Sequence, residues 1–378
     1  MKIAMIGQKG IPAKFGGVER HVAELSERLA ENGNEVTVYC RRWYAPELAE
    51  TKVKQIFTPT LHTKNLDAIV HTFTSTLHAI FTEKPDIIHY HGVGPALLAW
   101  MPRLLSPKTR VIVTFHCIDR THDKWGRFAR LMLRVGEWSA CGNADRTITV
   151  SETLKRYCGE SYETDTVCIP NGVTPLAEVS PASLNSWNLI PGKYLLFVGR
   201  IIRLKGLHTL LAAYRNLPET VRVEYPLVIA GEGYYSDSYL KELTTLAKGL
   251  PVKFVGNQTG EALAALYRYA SLLVQPSETE GMPMVVLEAA GSGTPILASS
   301  IAAHREILGD DGNYFEVKNS FDLTRALSET LGRIDELKLA AKDLAAKINQ
   351  KYSWDGIVKQ TNEVYLSTAR PMRVPVAE

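Results

Sequence analysis

The sequence predicts an α/β protein of two Rossmann-like lobes whose parallel sheets face each other across a cleft. Three observations carry this. Short apolar, β-rich runs alternate with amphipathic helical stretches through the first half of the chain. The alternation stalls at residues 171–192, where Asn171, Gly172, Pro175, Pro181, Pro191 and Gly192 cluster as a linker would. It then restarts in the same form. Short buried strands alternating with helices imply parallel sheets joined by right-handed crossovers. The 378 residues fit two domains of ordinary size, read as 1–175 and 176–354.

Lys2–Ile6 is an apolar strand that stops at Gly7. Val18–Glu31 places Val22, Leu25 and Leu29 on one helical face, and Gly33 ends it. Glu35–Tyr39, Ile87–Tyr90, Val111–Phe115, Thr147–Val150 and Val167–Ile169 follow as strands. In the second half the strands are Tyr194–Val198, Leu227–Ala230, Val252–Val255, Leu272–Val274 and Ile296–Ala298. Helices fill Leu207–Leu217, Ser238–Lys248, Glu261–Tyr269 and Met284–Gly291. After residue 320 the pattern is helical over Leu323–Asn349 and Asp355–Ser367, and the proline-bearing tail Pro371–Glu378 is expected to be loose.

Composition excludes several classes. A net charge of +3, from 43 Lys+Arg against 40 Asp+Glu, is too balanced for a protein held on nucleic acid by bulk charge. Five scattered cysteines without a C-x-x-C argue against a disulfide framework or structural zinc, and for a reducing cytoplasm. No apolar run reaches the roughly 18 residues of a membrane span, and the N-terminal run is too short for a secretion signal. A cytoplasmic protein, peripheral to a membrane at most, is expected.

Four motifs stand where an open α/β sheet binds its ligands, beyond the carboxyl ends of its strands. Gly7–Gly17 joins the first strand to a helix, and glycine-freed amides at a helix start attract phosphate. The spacing is neither G-x-G-x-x-G nor a Walker loop, so no dinucleotide cofactor is implied. His116 ends a strand and is either cleft-facing or an ordinary hydrogen-bonded histidine. His89 and His91 end another strand; with no third ligand indicated for a metal, they read as structural or cleft-lining. Arg200, at the end of the strand that opens the second half, and Lys205, at the next helix start, are two fixed cations able to neutralise a departing diphosphate. Glu280 and Glu288 flank a helix start, and the amides of Gly281, Met282 and Met284 between them are suited to an anion or to sugar hydroxyls. No two aspartates stand two apart, so no D-x-D holds a nucleotide-bound metal, and no metal is expected.

Together these pieces resemble the retaining GT-B glycosyltransferases of family 4, the glycosyl transferases group 1. The matching residues are Gly16-Gly17, Val113-Thr114-Phe115-His116, Ile169-Pro170-Asn171-Gly172-Val173, Val198-Gly199-Arg200, Lys205-Gly206, Ile229-Ala230-Gly231-Glu232-Gly233, Pro276-Ser277 and the E-x7-E of Glu280 and Glu288. They run in the family's order from about residue 3 to about residue 310. The resemblance implies transfer of a sugar from a nucleotide-diphosphate sugar, UDP or GDP being the expected nucleotides, with retention at the anomeric carbon and no further cofactor. It implies that Gly16 and Gly17 approach the diphosphate and that Arg200 and Lys205 neutralise it. Glu288 would hold the ribose. Glu280, with the amides of Gly281, Met282, Met284 and Val285, would contact the donor sugar. His116 would stand beside the reacting bond, and the base near Phe254–Asn257. The helix at about 355–368 would cross back to complete the N-terminal lobe. Cys117 stands where the family commonly has glycine, which bears on the acceptor side. The stretch His116–Gly126 is similar to a subgroup tied to bacterial surface polysaccharides, implying a glycan or lipid-linked glycan acceptor.

Two other readings fit the same lobes: a nucleotide-sugar epimerase, which needs no acceptor, and a non-enzymatic sugar-binding protein. The basic excess lies in residues 103–134, with eight Lys/Arg against two Asp. Within it Lys124, Arg127, Arg130 and Arg134 share a helix face, with Trp125, Phe128, Met132 and Val135 as the neighbouring apolar stripe. That stripe either packs on the sheet or dips into lipid while the cations meet an anionic membrane surface.

Overall fold

The structure is a computed structural model, and it describes residues 1–45, 50–61, 63, 66–121, 125–233 and 237–368. The chain divides into two compact units. One comprises Met1–Asn171 together with the last helix, and the other Gly172–Ser353.

The first unit is built on β1 (Lys2–Ile6), β2 (Glu35–Cys40), β3 (Lys54–Phe57), β4 (Ile87–His91), β5 (Arg110–Phe115), β6 (Arg146–Thr149) and β7 (Val167–Cys168). All seven pair in parallel, in the order β3-β2-β1-β4-β5-β6-β7. The order turns back on itself at β1, where β2 lies on one side and β4 on the other, so the chain ends of β1, β4 and β5 converge at one edge of the sheet. The crossovers are α1 (Gly17–Glu31), α2 (Asp67–His78), α3 (Val93–Ala96), α4 (Trp100–Leu105), α5 (Arg127–Gly142) and α6 (Glu152–Tyr162). Helix α1 buries Val22, Leu25 and Leu29, as its periodicity requires. The helix Trp354–Thr368 closes this core: Trp354, Ile357, Val358, Val364 and Tyr365 pack with the α1 residues and with Ile3, Met5, Val36 and Val38. Tyr365 reaches the sheet itself, with its hydroxyl 2.6 Å from His89 Nδ1.

The second unit repeats the plan with β8 (Leu195–Val198), β9 (Leu227–Ala230), β10 (Val252–Gly256), β11 (Leu272–Gln275), β12 (Ile296–Ser299) and β13 (Asn313–Phe315). They are parallel throughout, ordered β10-β9-β8-β11-β12-β13. Its helices are α7 (Leu207–Arg215), α8 (Glu219–Glu224), α9 (Asp237–Ala247), α10 (Gly260–Arg268), α11 (Met284–Gly291), α12 (Ala302–Leu308), α13 (Ser320–Gly332) and α14 (Ile334–Lys351). The helix shared with the first unit is then α15 (Trp354–Thr368).

Three expectations need correction. The supposed linker is held against the second unit: Leu184 is fully buried, Lys253 donates to Trp187 O at 2.6 Å, and Tyr269 donates to Val179 O at 2.7 Å. The single long helix expected over Leu323–Asn349 is two, because α13 stops at Gly332 and Ile334 turns inward to open α14. The edge strands β3 and β13 were not foreseen at all. The tail 371–378 lies outside the described residues. No helix among the described residues is long and apolar enough to cross a membrane, and the five cysteines form no disulfide.

Candidate active site

In the second unit, one glycine brings the main groups together. Gly206 sits in the left-handed region at φ 68°, and a Cβ there would lie 1.9 Å from Pro276 O. Only glycine lets the turn Arg203–Lys205 close on the loop that leaves β11. The result is an ion pair between Lys205 Nζ and Glu280 Oε1, both side chains largely buried. Ser277 Oγ donates to the same Glu280 oxygen at 2.7 Å, and Gln275 Nε2 donates to Ser277 Oγ at 3.0 Å. Burial opposes ionisation of Glu280, but the Lys205 ammonium and the Ser277 hydroxyl outweigh it and hold its carboxyl below the usual carboxylate range.

His304 lies behind this group. Its Nδ1 is 2.8 Å from Ser299 O, so Nδ1 carries the proton, while Nε2 is buried and has no hydrogen-bond partner among the described residues. Burial pushes its pKa down to about 4, although the Glu280 carboxylate pulls the other way.

Arg200, two residues beyond β8, is exposed and has no ion-pair partner among the described residues. It is a free cation next to a paired one, and not half of a preformed Arg–Lys clamp. Helix α11 begins at Met284. The amides of Gly281, Met284 and Val285 make no hydrogen bond among the described residues, as expected at a helix start. Met282 is buried beside them. One turn into α11, Glu288 is buried and takes a 3.0 Å hydrogen bond from the Tyr267 hydroxyl. Asn257 follows β10 on an exposed stretch, and Phe254 on that strand is also exposed.

In the first unit, Gly16 precedes α1 at φ 103°. A Cβ there would fall 1.9 Å from Glu19 Oε2, so the Glu19 carboxylate already occupies the space that makes Gly16 necessary. Glu19 also takes the Lys9 amide at 3.2 Å and the Lys9 ammonium at 3.3 Å. Burial disfavours its charge, but Lys9 prevails and its carboxyl lies below the ordinary range. Gly17 is the first residue of the helix.

His116 follows β5 and does not stand alone. Its Nε2 is 3.2 Å from His91 Nδ1 at the end of β4, and His21 on α1 meets it edge-on with ring centroids 5.0 Å apart. The sequence indicated no third imidazole near His89 and His91. The fold supplies two, with ligand nitrogens of His21, His91 and His116 all within 4.8 Å of one another. His91 is already engaged on both nitrogens, the second lying 3.3 Å from Met5 Sδ. Burial, then the neighbouring imidazoles, hold His91 and His116 well below the ordinary histidine range. His21 is pushed by burial to about 4, with an Asn171 hydrogen bond acting in the opposite sense.

His21 was missed by sequence reasoning. Its signal is a histidine on the apolar face of α1, between Gly17 and the buried Val22 and Leu25. Tyr267, as the partner of Glu288, and His304, behind Glu280, carry no comparable signal.

The loop after His116 is tied to α5. Cys117 Sγ is 3.2 Å from Asp119 Oδ1, and Arg120 reaches the fully buried Glu137 at 3.2 Å. Glu137 also accepts the hydroxyls of Tyr157 and Tyr162, each at 2.7 Å. Of the two readings of the α5 apolar stripe, packing on the sheet is corrected here. The helix packs inward through Leu133, Gly136, Glu137, Ser139 and Ala140. Phe128, Leu131, Val135 and Trp138 are exposed instead, alongside Arg127, Arg130 and Arg134. Trp125 and Met132 are half-buried, and Lys124 lies outside the described residues.

Residues 15–175 match the family Glycosyltransferase Family 4, and residues 188–350 match Glycosyl transferases group 1. An uncharacterized glycosyltransferase of Methanocaldococcus jannaschii is 30% identical over 97% of this chain and 98% of its own length. The phosphatidyl-myo-inositol mannosyltransferase of Mycobacterium leprae is 28% identical over 98% of this chain and 97% of its own. Among solved structures, Anabaena HepE in complex with UDP-glucose superposes with a TM-score of 0.76 at 19% identity, covering 97% of this chain and 100% of HepE. The fold is therefore GT-B, with two Rossmann-like parallel-sheet halves. The chain belongs to the family 4 glycosyltransferases, the glycosyl transferases group 1, and is a sugar-transferring enzyme.

Proposed function

We propose that this enzyme moves a hexosyl or related residue from a nucleotide-diphosphate sugar, with UDP or GDP as nucleotide, to a hydroxyl of a cell-envelope glycan or lipid-linked glycan, with retention of anomeric configuration. The observation that carries this reading is the grouping at the carboxyl end of the second sheet: a buried Lys205–Glu280 pair with the exposed, unpaired Arg200 on the neighbouring strand exit. Departure of a nucleoside diphosphate builds negative charge, which the largely buried Lys205 and the exposed Arg200 can stabilise. Arg200 and Lys205 take that role. Glu280 then receives sugar hydroxyls, helped by the open amides of Gly281, Met284 and Val285 and by Met282 beside them. Glu288, steadied by Tyr267, receives the ribose, and Asn257 lies toward the base. In the first unit, the motifs of Gly16, Gly17 and His116 give these residues donor-binding roles. HepE's complex with UDP-glucose supports the donor class.

The acceptor reading rests on α5. Its exposed face carries three arginines and four large apolar side chains, and its one acidic residue, Glu137, is fully buried. Such a face suits an anionic lipid surface at the inner side of the membrane. The lipid acceptor named for the Mycobacterium leprae relative is in keeping with this. No divalent metal is required in this scheme, since the sequence has no D-x-D and the cations of the protein meet the diphosphate.

The test is a binding screen of UDP, GDP, ADP and dTDP, followed by the corresponding sugars with envelope lipid extracts as acceptor. Product anomers are then read by NMR coupling constants, with and without EDTA. Retained configuration and undiminished turnover in EDTA are expected. An inverted product, or activity lost in EDTA and restored by Mg²⁺ or Mn²⁺, refutes the corresponding claim.

A further inference from the structure

The buried imidazoles of the first unit have an order that their hydrogen-bond chemistry dictates. Met5 on β1, His91 on β4 and His116 after β5 form a line across adjacent strands. Met5 Sδ lies 3.3 Å from His91 Nε2, and His91 Nδ1 lies 3.2 Å from His116 Nε2. We propose that His91 is a positioning residue that locks His116 in the Nε2–H tautomer and leaves His116 Nδ1 as a bare acceptor for a substrate hydroxyl.

A thioether sulfur has lone pairs and no proton to give. The only favourable meeting of His91 Nε2 with Met5 Sδ therefore puts the His91 proton on Nε2. His91 Nδ1 is then a lone pair, and the hydrogen at the 3.2 Å contact must belong to His116 Nε2. The reverse order would set two lone pairs against each other at Met5 with no water to relieve them, because His91 is 2% exposed and Met5 fully buried.

Neither ring escapes by taking a second proton. His89 stacks on His91 with centroids 4.1 Å apart, and His21 closes on His116 from the side. His89 is itself spoken for, with Thr114 Oγ1 2.7 Å from one nitrogen and Tyr365 Oη 2.6 Å from the other. The burial that lowers the basicity of all four rings agrees with this uncharged arrangement.

One consequence is chemical. A His116 ring of this tautomer accepts a hydrogen bond through Nδ1 and cannot act there as a proton donor. This assigns it to orienting a sugar hydroxyl, and it rests on the reading of His116 as a substrate-facing residue given above. His91, which touches no substrate, acts only through His116.

The experiment uses the full chain labelled with ¹⁵N-histidine. Long-range ¹H–¹⁵N correlation at neutral pH distinguishes protonated from bare ring nitrogens, and His116→Ala assigns the signal. A bare Nδ1 and a protonated Nε2 on His116 are expected; the opposite pattern overturns the proposal. His91→Asn keeps an acceptor oxygen near the Nδ1 position, so it should preserve both the tautomer and turnover. His91→Leu removes the acceptor and should mix the His116 tautomers and lower kcat about tenfold, the scale of one hydrogen bond, with donor KM little changed. Unaltered tautomer and kcat in His91→Leu would also overturn it, as would uptake of one Zn²⁺ per chain that His91→Leu abolishes, since the rings would then be a ligand set. Full activity in His116→Ala would remove the substrate-facing role of His116 while the tautomer measurement stood on its own.

Discussion

Lys205 and Glu280 stand 75 residues apart in the sequence and form one buried ion pair, with Ser277 sharing the same carboxylate oxygen. Each group therefore has two duties. Lys205 keeps Glu280 ionised in a largely dry position, and Glu280 in turn holds Lys205, which in the proposed reaction aims the ammonium at the diphosphate.

Lys205→Ala should lower turnover about 10²- to 10³-fold, the scale of one charge-stabilising group. It should also lower Tm, because Glu280 is left buried without its counter-ion. The double variant Lys205→Ala/Glu280→Gln removes that orphaned charge. It should recover most of the lost Tm and none of the lost turnover. Recovery of both would mean the pair serves stability alone.

Glu288→Gln should weaken nucleotide binding more than it slows the chemical step, because an amide oxygen accepts the ribose hydroxyls less strongly than a carboxylate. Tyr267→Phe should act in the same direction and more weakly, since it frees the Glu288 carboxylate from its 3.0 Å anchor without removing it. Calorimetric titration with the nucleoside diphosphate, set beside kcat, separates the two effects. Turnover that falls at unchanged nucleotide affinity would refute the ribose role. Glu280→Ala, by contrast, should penalise the sugar-bearing donor more than the bare nucleotide.

Most of the central strands were legible in the sequence because they are continuous apolar runs buried on both faces, as at Leu195–Val198 and Leu227–Ala230. The edge strands β3 and β13 were not, although the edges β7 and β10 were. Lys54–Phe57 is mixed in polarity and only partly buried, and Asn313–Phe315 is a three-residue strand. The glutamates and cations of the second unit could be named from their positions at strand ends, yet the pairing of Lys205 with Glu280 could not. It depends on Gly206 permitting a backbone approach that local sequence does not encode. The imidazole group of His21, His91 and His116 was hidden for a different reason. Its members come from a helix, a strand end and the residue that follows a neighbouring strand, which only the sheet order makes neighbours. On α5 the periodicity was right and only the packing of its apolar stripe on the sheet was wrong, because Gly136 and the bonded Glu137 turn inward where a hydropathy pattern favours Phe128.

Stability should fall as pH drops from about 6.5 to about 4.5. Burial leads the downward shift of His21 and His304 to about 4 and of His71 and His89 to about 3, each from an ordinary 6.5. In that window the unfolded chain binds protons at these rings and the native protein does not, so unfolding is favoured as protons are added. Each ring contributes up to about 1.4 kcal/mol per pH unit. Urea unfolding midpoints at pH 7.0, 6.0, 5.0 and 4.5 should decline steadily. His304→Asn retains a donor toward Ser299 O and should flatten the decline. A midpoint constant across the window would mean the imidazoles are protonated in the native protein.

The face of α5 predicts salt-sensitive attachment to anionic lipid. Arg127, Arg130 and Arg134 are exposed on one side of the helix, and Phe128 and Trp138 stand out beside them at 74% and 57% exposure. Helix α4 extends the apolar character with exposed Trp100, Leu104 and Leu105, and Arg103 bridges the two helices by donating to Asn143 O at 3.0 Å. Each cation near an anionic surface contributes about 1 kcal/mol, so three give weak attachment that salt reverses. Sedimentation should show binding to vesicles rich in anionic lipid, little binding to neutral ones, and release at high salt. Arg127→Glu/Arg130→Glu/Arg134→Glu should abolish pelleting and leave nucleotide affinity unchanged. Phe128→Ser/Trp138→Ser should weaken the attachment that persists at intermediate salt, because it removes the apolar side chains while keeping the charge. Equal pelleting with both kinds of vesicle, or none with either, would exclude electrostatic attachment. Loss of nucleotide affinity in the charge-reversed protein would make the arginines part of the folded framework rather than of a membrane contact.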